Sequence, residues 1–413
     1  MLKEMSLMTI ENISILNSID EIILKRLEKE HYGLLNGLAG CSMYFLNRHF
    51  QTQNIQYHNY CIELLESIIV STNQESLPHQ VNLAVPFFAP LWLIDQYTKL
   101  GMLDESEKMN IEPIIDHINL GLNEDLSVNR HDLFYGFIGT ALILIENDPE
   151  ANWNHIDKII EALKINAIRD KDGIYWNTPD PFFSSPTFEK TINFGVPHGS
   201  CGIVLFLLKC CDLYNLHNVL MPLLKGSIDW MVNKLEKENN RLPYNYSTKP
   251  SGTGKLGWCY GDQSIAFTLL RYSETFNCDK AKAKAYQLIE QSASKPIEQT
   301  GVQYYPTYGY YDMRICHGTS SVAYMWLKMY HITKDENIKA LADKWMNITL
   351  DNLEIFLPQL DKIAELEKDN EKLDTSMGFL NGLSGVGLAL IAFQNPKLSY
   401  WDKLLLLDRP GRE

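Results

Sequence analysis

Six times along this chain a glycine heads an apolar run, and that repetition limits the possible folds more than any other feature. Gly37-Leu38-Ala39-Gly40, Gly136-Phe137-Ile138-Gly139, Gly199-Ser200-Cys201-Gly202 and Gly382-Leu383-Ser384-Gly385 carry glycine at the first and fourth positions. Gly261-Asp262-Gln263-Ser264 and Gly318-Thr319-Ser320-Ser321 keep the first glycine and have serine at the fourth. The intervals between first glycines are 99, 63, 62, 57 and 64 residues, and the long one is expected to hide a degenerate unit near Pro86 to Gln96, making seven. Small residues three apart on a first helical turn let neighbouring helices approach closely, and that is the expected role of the glycines.

Each unit is long enough for two helices. Ile156, Ile159, Ile160, Leu163 and Ala167 share one face, as do Leu224, Ile228, Met231 and Leu235, and Ile338, Leu341, Trp345 and Ile348. These predict outer helices with one wet side. The runs after the glycines, such as Ile203 to Leu208 and Gly387 to Ile391, are apolar all round and predict inner helices. Inner and outer helices in alternation, closed on themselves, make an all-α fold, an α/α toroid of about seven inner and seven outer helices. No linker or low-complexity tract interrupts it, so residues 1–413 read as a single domain.

A net charge of -14 without clustered Lys and Arg excludes nucleic acid as a partner. Glu4, Glu11 and Asp20 occupy the region where a signal peptide would be basic and then apolar. The longest apolar runs, Phe137 to Ile145 and Val386 to Phe393, are too short for a transmembrane segment. The chain therefore reads as cytoplasmic, and its eight cysteines as thiols, buried or metal-bound.

The loops 170–197, 239–257 and 294–314 are long, rich in Pro, Tyr, Gly and Asn, and immediately precede units carrying His198, Cys259 and Cys316. Cys259 stands two residues before Gly261, Cys316 and His317 directly before Gly318, and His198 directly before Gly199. If the glycine motifs are equivalent points around a ring, these side chains meet at one rim. Two cysteines and a histidine make a zinc site with its fourth position open, the catalytic pattern. Such an electron-rich zinc is suited to binding an incoming thiol, removing its proton and leaving the sulfur nucleophilic, which points to thiol alkylation.

Gly257-Trp258-Cys259-Tyr260-Gly261, Cys316-His317-Gly318, Pro197-His198-Gly199-Ser200-Cys201-Gly202 and Asn381-Gly382-Leu383-Ser384-Gly385-Val386-Gly387 together resemble the lanthionine synthetase C-like family, the lantibiotic cyclases. The likeness runs from about His31 to the C-terminus, at the length of the free-standing cyclases. It implies Zn2+ held by Cys259, Cys316 and His317, and addition of peptide cysteine thiols to dehydroalanine or dehydrobutyrine to form thioether rings. The implied substrate is a dehydrated precursor peptide, with a separate dehydratase and an export transporter as associated partners. His198 matches the family's active-site histidine, the acid for the α-carbon or the base for the thiol. Asp132 matches the aspartate that orients it, and Tyr260 a tyrosine able to hydrogen-bond the developing enolate. Lys255 stands where the family commonly has arginine, which keeps the charge and loses the bidentate fork.

Other classes fit less well. A prenyltransferase-type toroid wants an Asp, Cys, His ligand set and a basic diphosphate pocket. A glycosidase would use two carboxylates, for which Asp132 and Asp262 are the candidates, and would leave the cysteines unexplained. A zinc-stabilised scaffold that binds peptide without turnover, and an enzyme adding a small thiol such as glutathione to dehydrated residues, are the alternatives within the family.

Overall fold

Every glycine motif opens an α-helix in the computed structural model of the protein. The structure describes residues 2–74, 81–107, 111–178, 192–240, 242–246, 251–366 and 376–411. Its helices run α1 (Leu2–Arg26), α2 (Leu38–Thr52), α3 (Ile55–Gln74), α4 (Ala89–Lys99), α5 (Ile115–Ser127), α6 (Phe137–Asn147), α7 (Trp153–Ile165) and α8 (Ser200–Tyr214). There follow α9 (His217–Lys237), α10 (Asp262–Phe276), α11 (Asp279–Ala293), α12 (Thr319–Thr333), α13 (Glu336–Phe356), the short α14 (Leu360–Leu366) and α15 (Leu383–Gln394).

The expected alternation is present. Helices α2, α6, α8, α10, α12 and α15 start at glycine motifs, and all eleven residues of α6 are buried. The degenerate unit exists: α4 follows a 3-10 turn at Pro86–Phe88, with proline in the first turn of each supplying the helical φ in place of the glycine loop. The helices between are amphipathic as predicted. Ile156, Ile159, Ile160 and Leu163 of α7 and Leu224, Ile228, Met231 and Leu235 of α9 are buried. On α13 the buried stripe is rotated, running through Ile338, Ala342, Trp345 and Met346, so that Leu341 and Ile348 sit at its half-buried edges.

The glycines do something other than what their spacing predicts. A Cβ on any of the six first glycines would lie 2.0–2.7 Å from the carbonyl oxygen of the residue six positions earlier: His31, Arg130, Asn193, Lys255, Asp312 or Ser376. In five units that carbonyl accepts the N–H of the residue after the glycine, Leu38, Phe137, Asp262, Thr319 or Leu383, at 2.7–3.3 Å. Each of these five loops is thus latched onto the start of its own helix, satisfying a donor that the helix leaves orphaned. At the fourth position Gly40 closes on the backbone N of Phe379, where a Cβ would stand 2.4 Å away, and the other three glycines repeat the approach to a carbonyl of their own loop. A Cβ at Gly139, Gly202 or Gly385 would stand 2.1, 2.0 or 1.8 Å from the carbonyl of Leu133, Val196 or Phe379, again six residues back. Where serine takes the place of that glycine in α10, Ser264 Oγ donates to the carbonyl of Trp258 at 2.8 Å. Close approach to a neighbouring element is the lesser role, as at Gly387 against the Tyr44 ring.

Two compact units make up the chain. One comprises Met1–Ser76, Val302–Leu327 and Glu336–Ser399. In it α2 packs on α3 and α15, and Arg48 and Tyr44 of α2 close on the buried Asp20 of α1, at 2.7 and 2.6 Å. The other comprises Leu77–Gly301, Lys328–Asp335 and Tyr400–Glu413. There α10 packs on α8 and α11, and the buried Glu146 at the end of α6 receives Lys99, Lys209 and Lys403 at 3.1, 3.2 and 2.9 Å. Burial alone would raise that carboxyl's pKa, and the three ammoniums hold it well below the usual carboxylate range.

The long loops carry short antiparallel pairs. β1 (Ile168–Asp170) pairs with β2 (Gly173–Tyr175), and β3 (Ile192–Asn193) with β4 (Pro243–Tyr246), which pairs in turn with β5 (Ser251–Thr253). β6 (Tyr304–Tyr305) pairs with β7 (Tyr310–Tyr311). Residues 179–191 and 247–250 of the first two loops lie outside the described residues. No helix among the described residues is long and apolar enough to cross a membrane.

Candidate functional site

The same position of every loop reaches solvent. Asn36, Tyr135, His198, Tyr260, His317 and Asn381 each directly precede a first glycine, and all six are partly exposed while the glycine after each is buried. Three of the predicted site residues occupy this one position.

His198 and Asp132 form a pair. Asp132, 5% exposed, accepts the backbone N–H of Phe134 and Tyr135 through Oδ1 at 2.7 and 2.9 Å. Its Oδ2 stands 2.5 Å from His198 Nδ1. The carboxylate thereby fixes the imidazole with Nδ1 as donor and Nε2 directed away from it. Tyr135 stacks on the His198 ring with centroids 6.1 Å apart, Phe134 meets its edge, and the Tyr260 ring lies 6.2 Å off. Asp132 caps this turn and not a helix, since α6 begins only at Phe137.

The Trp258-Cys259-Tyr260 turn is anchored by its first member. Trp258, 1% exposed, donates from Nε1 to the Leu405 carbonyl at 2.9 Å and packs on Phe134. Gly261 has φ +106°, which suits glycine alone, and Gly195 presses against the turn so closely that a Cβ there would stand 2.3 Å from the Cys259 oxygen. Lys255 supplies the carbonyl that latches α10, and its stem lies on Gly301. Asp262 contacts Lys295 through an ion pair and is buried, so it is committed elsewhere and forms no carboxylate pair with Asp132.

Cys316 and His317 follow a loop whose polar groups sequence reading missed. Asp312, 2% exposed, brings Oδ2 to 3.2 Å from His317 Nε2. Arg314 forks onto the same carboxylate through Nε and Nη2 at 2.7–3.0 Å and contacts the Tyr305 hydroxyl at 3.1 Å. Arg314 Nη2 is also 3.3 Å from His317 Nε2, but a nitrogen that donates to Asp312 offers no lone pair to a guanidinium. The carboxylate is nearer and opposite in charge, so Nε2 carries the proton and Nδ1 is left to face a ligand. Burial works against charge on His317, yet hydrogen bonds to Asp312 and Cys316 outweigh it and raise its pKa to about 10. Asp312, despite burial, is held well below the usual carboxylate range by His317 and Arg314. Asp312 also supplies the main-chain carbonyl that latches α12, accepting the Thr319 N–H at 2.8 Å.

One ligand atom from each of Cys259, Cys316 and His317 lies within 4.8 Å of the others. Tetrahedral zinc, with sulfur at about 2.3 Å and nitrogen at about 2.0 Å, sets its ligands roughly 3.5–3.8 Å apart. A small contraction reaches that spacing, and the donor set, two thiols and an imidazole backed by a carboxylate, is one that zinc favours. The cluster is consistent with zinc.

The model of the lanthionine synthetase C-like protein family matches residues 28–406. The chain belongs to that family. Among solved structures it is similar to a nisin cyclase, at a TM-score of 0.70 and 17% identity over 95% of this chain and 98% of the other. At that identity the likeness carries the fold, the α/α toroid expected from the glycine-headed helices. The family match covers both the Trp258-Cys259-Tyr260 turn and the Cys316-His317 turn.

Proposed function

We propose that this protein is a zinc-dependent lanthipeptide cyclase, working as one domain over residues 1–413 and in the cytoplasm. It would join cysteine thiols of a dehydrated precursor peptide to dehydroalanine or dehydrobutyrine. A separate dehydratase would act before it and an export transporter after it. The observation that carries the reading is the gathering of Cys259, Cys316 and His317 ligand atoms within 4.8 Å.

Cys259, Cys316 and His317 would hold the metal, which when bound lowers the pKa of an incoming thiol and keeps its sulfur nucleophilic. In the addition a carbon–sulfur bond forms at the β-carbon, the carbon–carbon double bond is lost, and one proton passes overall from the thiol to the α-carbon. His198, held through Nδ1 by Asp132, has Nε2 as the group that moves that proton. Tyr260, next to Cys259 and with its ring 6.2 Å from that of His198, would donate to the carbonyl oxygen as negative charge develops there. Lys255 adds positive charge to the same turn. Its stem rests on Gly301, so its part is electrostatic and not a bidentate clamp.

The test is incubation of purified protein with a dehydrated, cysteine-containing peptide, counting free thiols by alkylation and mass. Thiols should disappear at constant peptide mass. Consumption no faster than in buffer would end the proposal.

A further inference from the structure

The inner helices α6 and α8 end at a cavity of about 790 Å3, a size usual for small-molecule sites. The eleven residues of α6 put about 16 Å between this cavity and the turn that carries Tyr135 beside His198. The buried Glu146 lies in its wall, with Lys99 and Lys403 on one carboxylate oxygen, Oε2, at 3.1 and 2.9 Å and Lys209 on the other at 3.2 Å. The C-terminal segment that completes the wall is fixed in place, since Asp408 pairs with Lys209, and Arg409 pairs with Glu274 and donates to the His331 carbonyl at 2.9 Å. The site is therefore built before any guest arrives.

We infer that this cavity binds a small organic anion, one carboxylate or phosphate group on an apolar body. The ion pairs decide the sign. Lys99, Lys209 and Lys403 share two buried carboxylates, Glu146 and Asp408, which leaves one positive charge without a paired carboxylate. Asp148 and Glu150 also reach the lining, but among the described residues neither forms an ion pair with these lysines. Asp148 Oδ1 accepts the N–H groups of Glu150 and Ala151 at 3.1 and 2.9 Å, and Glu150 is exposed. The surplus charge faces the cavity, because Lys99 and Lys403 both line it and are 40% and 26% exposed. Both reach Oε2, so their ammoniums stand within about 6 Å of each other, a gap that one carboxylate or phosphate can bridge. Lys403 spends one N–H on Glu146, and an ammonium has three to give. Ile145, Pro149 and Leu213 supply an apolar wall on which a hydrocarbon body gains by burial. A cationic guest would meet two like charges, and a neutral one would forgo the charge-assisted hydrogen bonds.

Isothermal titration calorimetry of the full-length, zinc-loaded protein with hexanoate, hexyl phosphate, hexanol and hexylamine tests this. At least one of the two anions should bind saturably with one site per chain, about tenfold or more tighter than hexanol and hexylamine. The ratio of the two anions tells which head group the lysines prefer. Lys99→Met and Lys403→Met keep the aliphatic stems of partly exposed side chains, and each should weaken the better anion about tenfold, with folding checked by circular dichroism. Carboxylates and phosphates also ligate zinc, so Cys316→Ala separates the two sites: it should leave anion affinity within twofold of the parent. No saturable binding of either anion at millimolar concentration would overturn the inference. So would hexylamine binding as tightly as the anions, parental affinity in both lysine variants, or loss of binding in folded Cys316→Ala. Failure of the cyclase reading appears separately, as unconsumed thiol with a dehydrated peptide.

Discussion

Replacing Asp312 by asparagine tests the metal centre through a residue that does not touch the metal. The Asp312 carboxylate accepts from His317 Nε2 at 3.2 Å and is itself held by Arg314. It makes the imidazole more basic and orients Nδ1 as the ligand atom. Asparagine keeps the volume and can keep the hydrogen bond, but it removes the charge. Loss of such a carboxylate partner typically weakens metal binding 10–100-fold, about 1.4–2.7 kcal/mol. Here the upper end is expected, because the substitution also leaves the Arg314 guanidinium, 3.3 Å from Nε2, without its counter-charge. Zinc affinity is measured by competition with a chromophoric chelator, and helicity by far-ultraviolet circular dichroism. Parental zinc affinity within twofold in a folded Asp312→Asn protein would refute the reasoning, and so would a protein with native Asp312 that takes up no zinc.

Four further outcomes are expected. Cys316→Ala should abolish zinc uptake and thiol consumption while helicity stays within a few per cent, because the buried helices hold the fold; general unfolding would mark the metal as structural. His198→Asn should retain zinc and lower the cyclisation rate by about 10²–10⁴-fold, and an unchanged rate removes His198 from the reaction. Gly202→Ala drives a Cβ to 2.0 Å from the Val196 carbonyl and should cost about 3 kcal/mol in a denaturant titration; no shift in midpoint would contradict that close approach. His131, buried with no partner on either ring nitrogen, has its pKa lowered by burial from 6.5 to about 4. The unfolded chain binds the extra proton between those values, so stability is complete above pH 6.5 and falls by about 3 kcal/mol as pH drops to 4. His131→Phe should flatten that part of the stability profile.

The helices were readable because their information is local. Apolar periodicity on α7 and α9 and unbroken hydrophobicity in α6 and α15 need no tertiary knowledge, and even the glycine-free α4 was placed by interval alone. Register carried the donor set too, since equal spacing from a glycine turns sequence distance into equivalence. What escaped were the supporting contacts. Nothing in Asp312-Met313-Arg314 marks a carboxylate that backs His317, because that pairing depends on a loop folding back over five residues. The purpose of the glycines was misread for a related reason. Small residues three apart mean close approach, but the sequence does not say of what, and the partner is a carbonyl of the same loop.

That fold-back has an evolutionary reading. Five of the six loops are tied to their helices by main-chain atoms, so the side chain just ahead of the glycine is not what closes the turn. Asn36, Tyr135, His198, Tyr260, His317 and Asn381 are six fillings of one socket. A scaffold of this kind can try an acid, a base, a donor or a ligand at any station without renegotiating its architecture, and swaps among these six sockets are the place to begin if new chemistry is wanted from it.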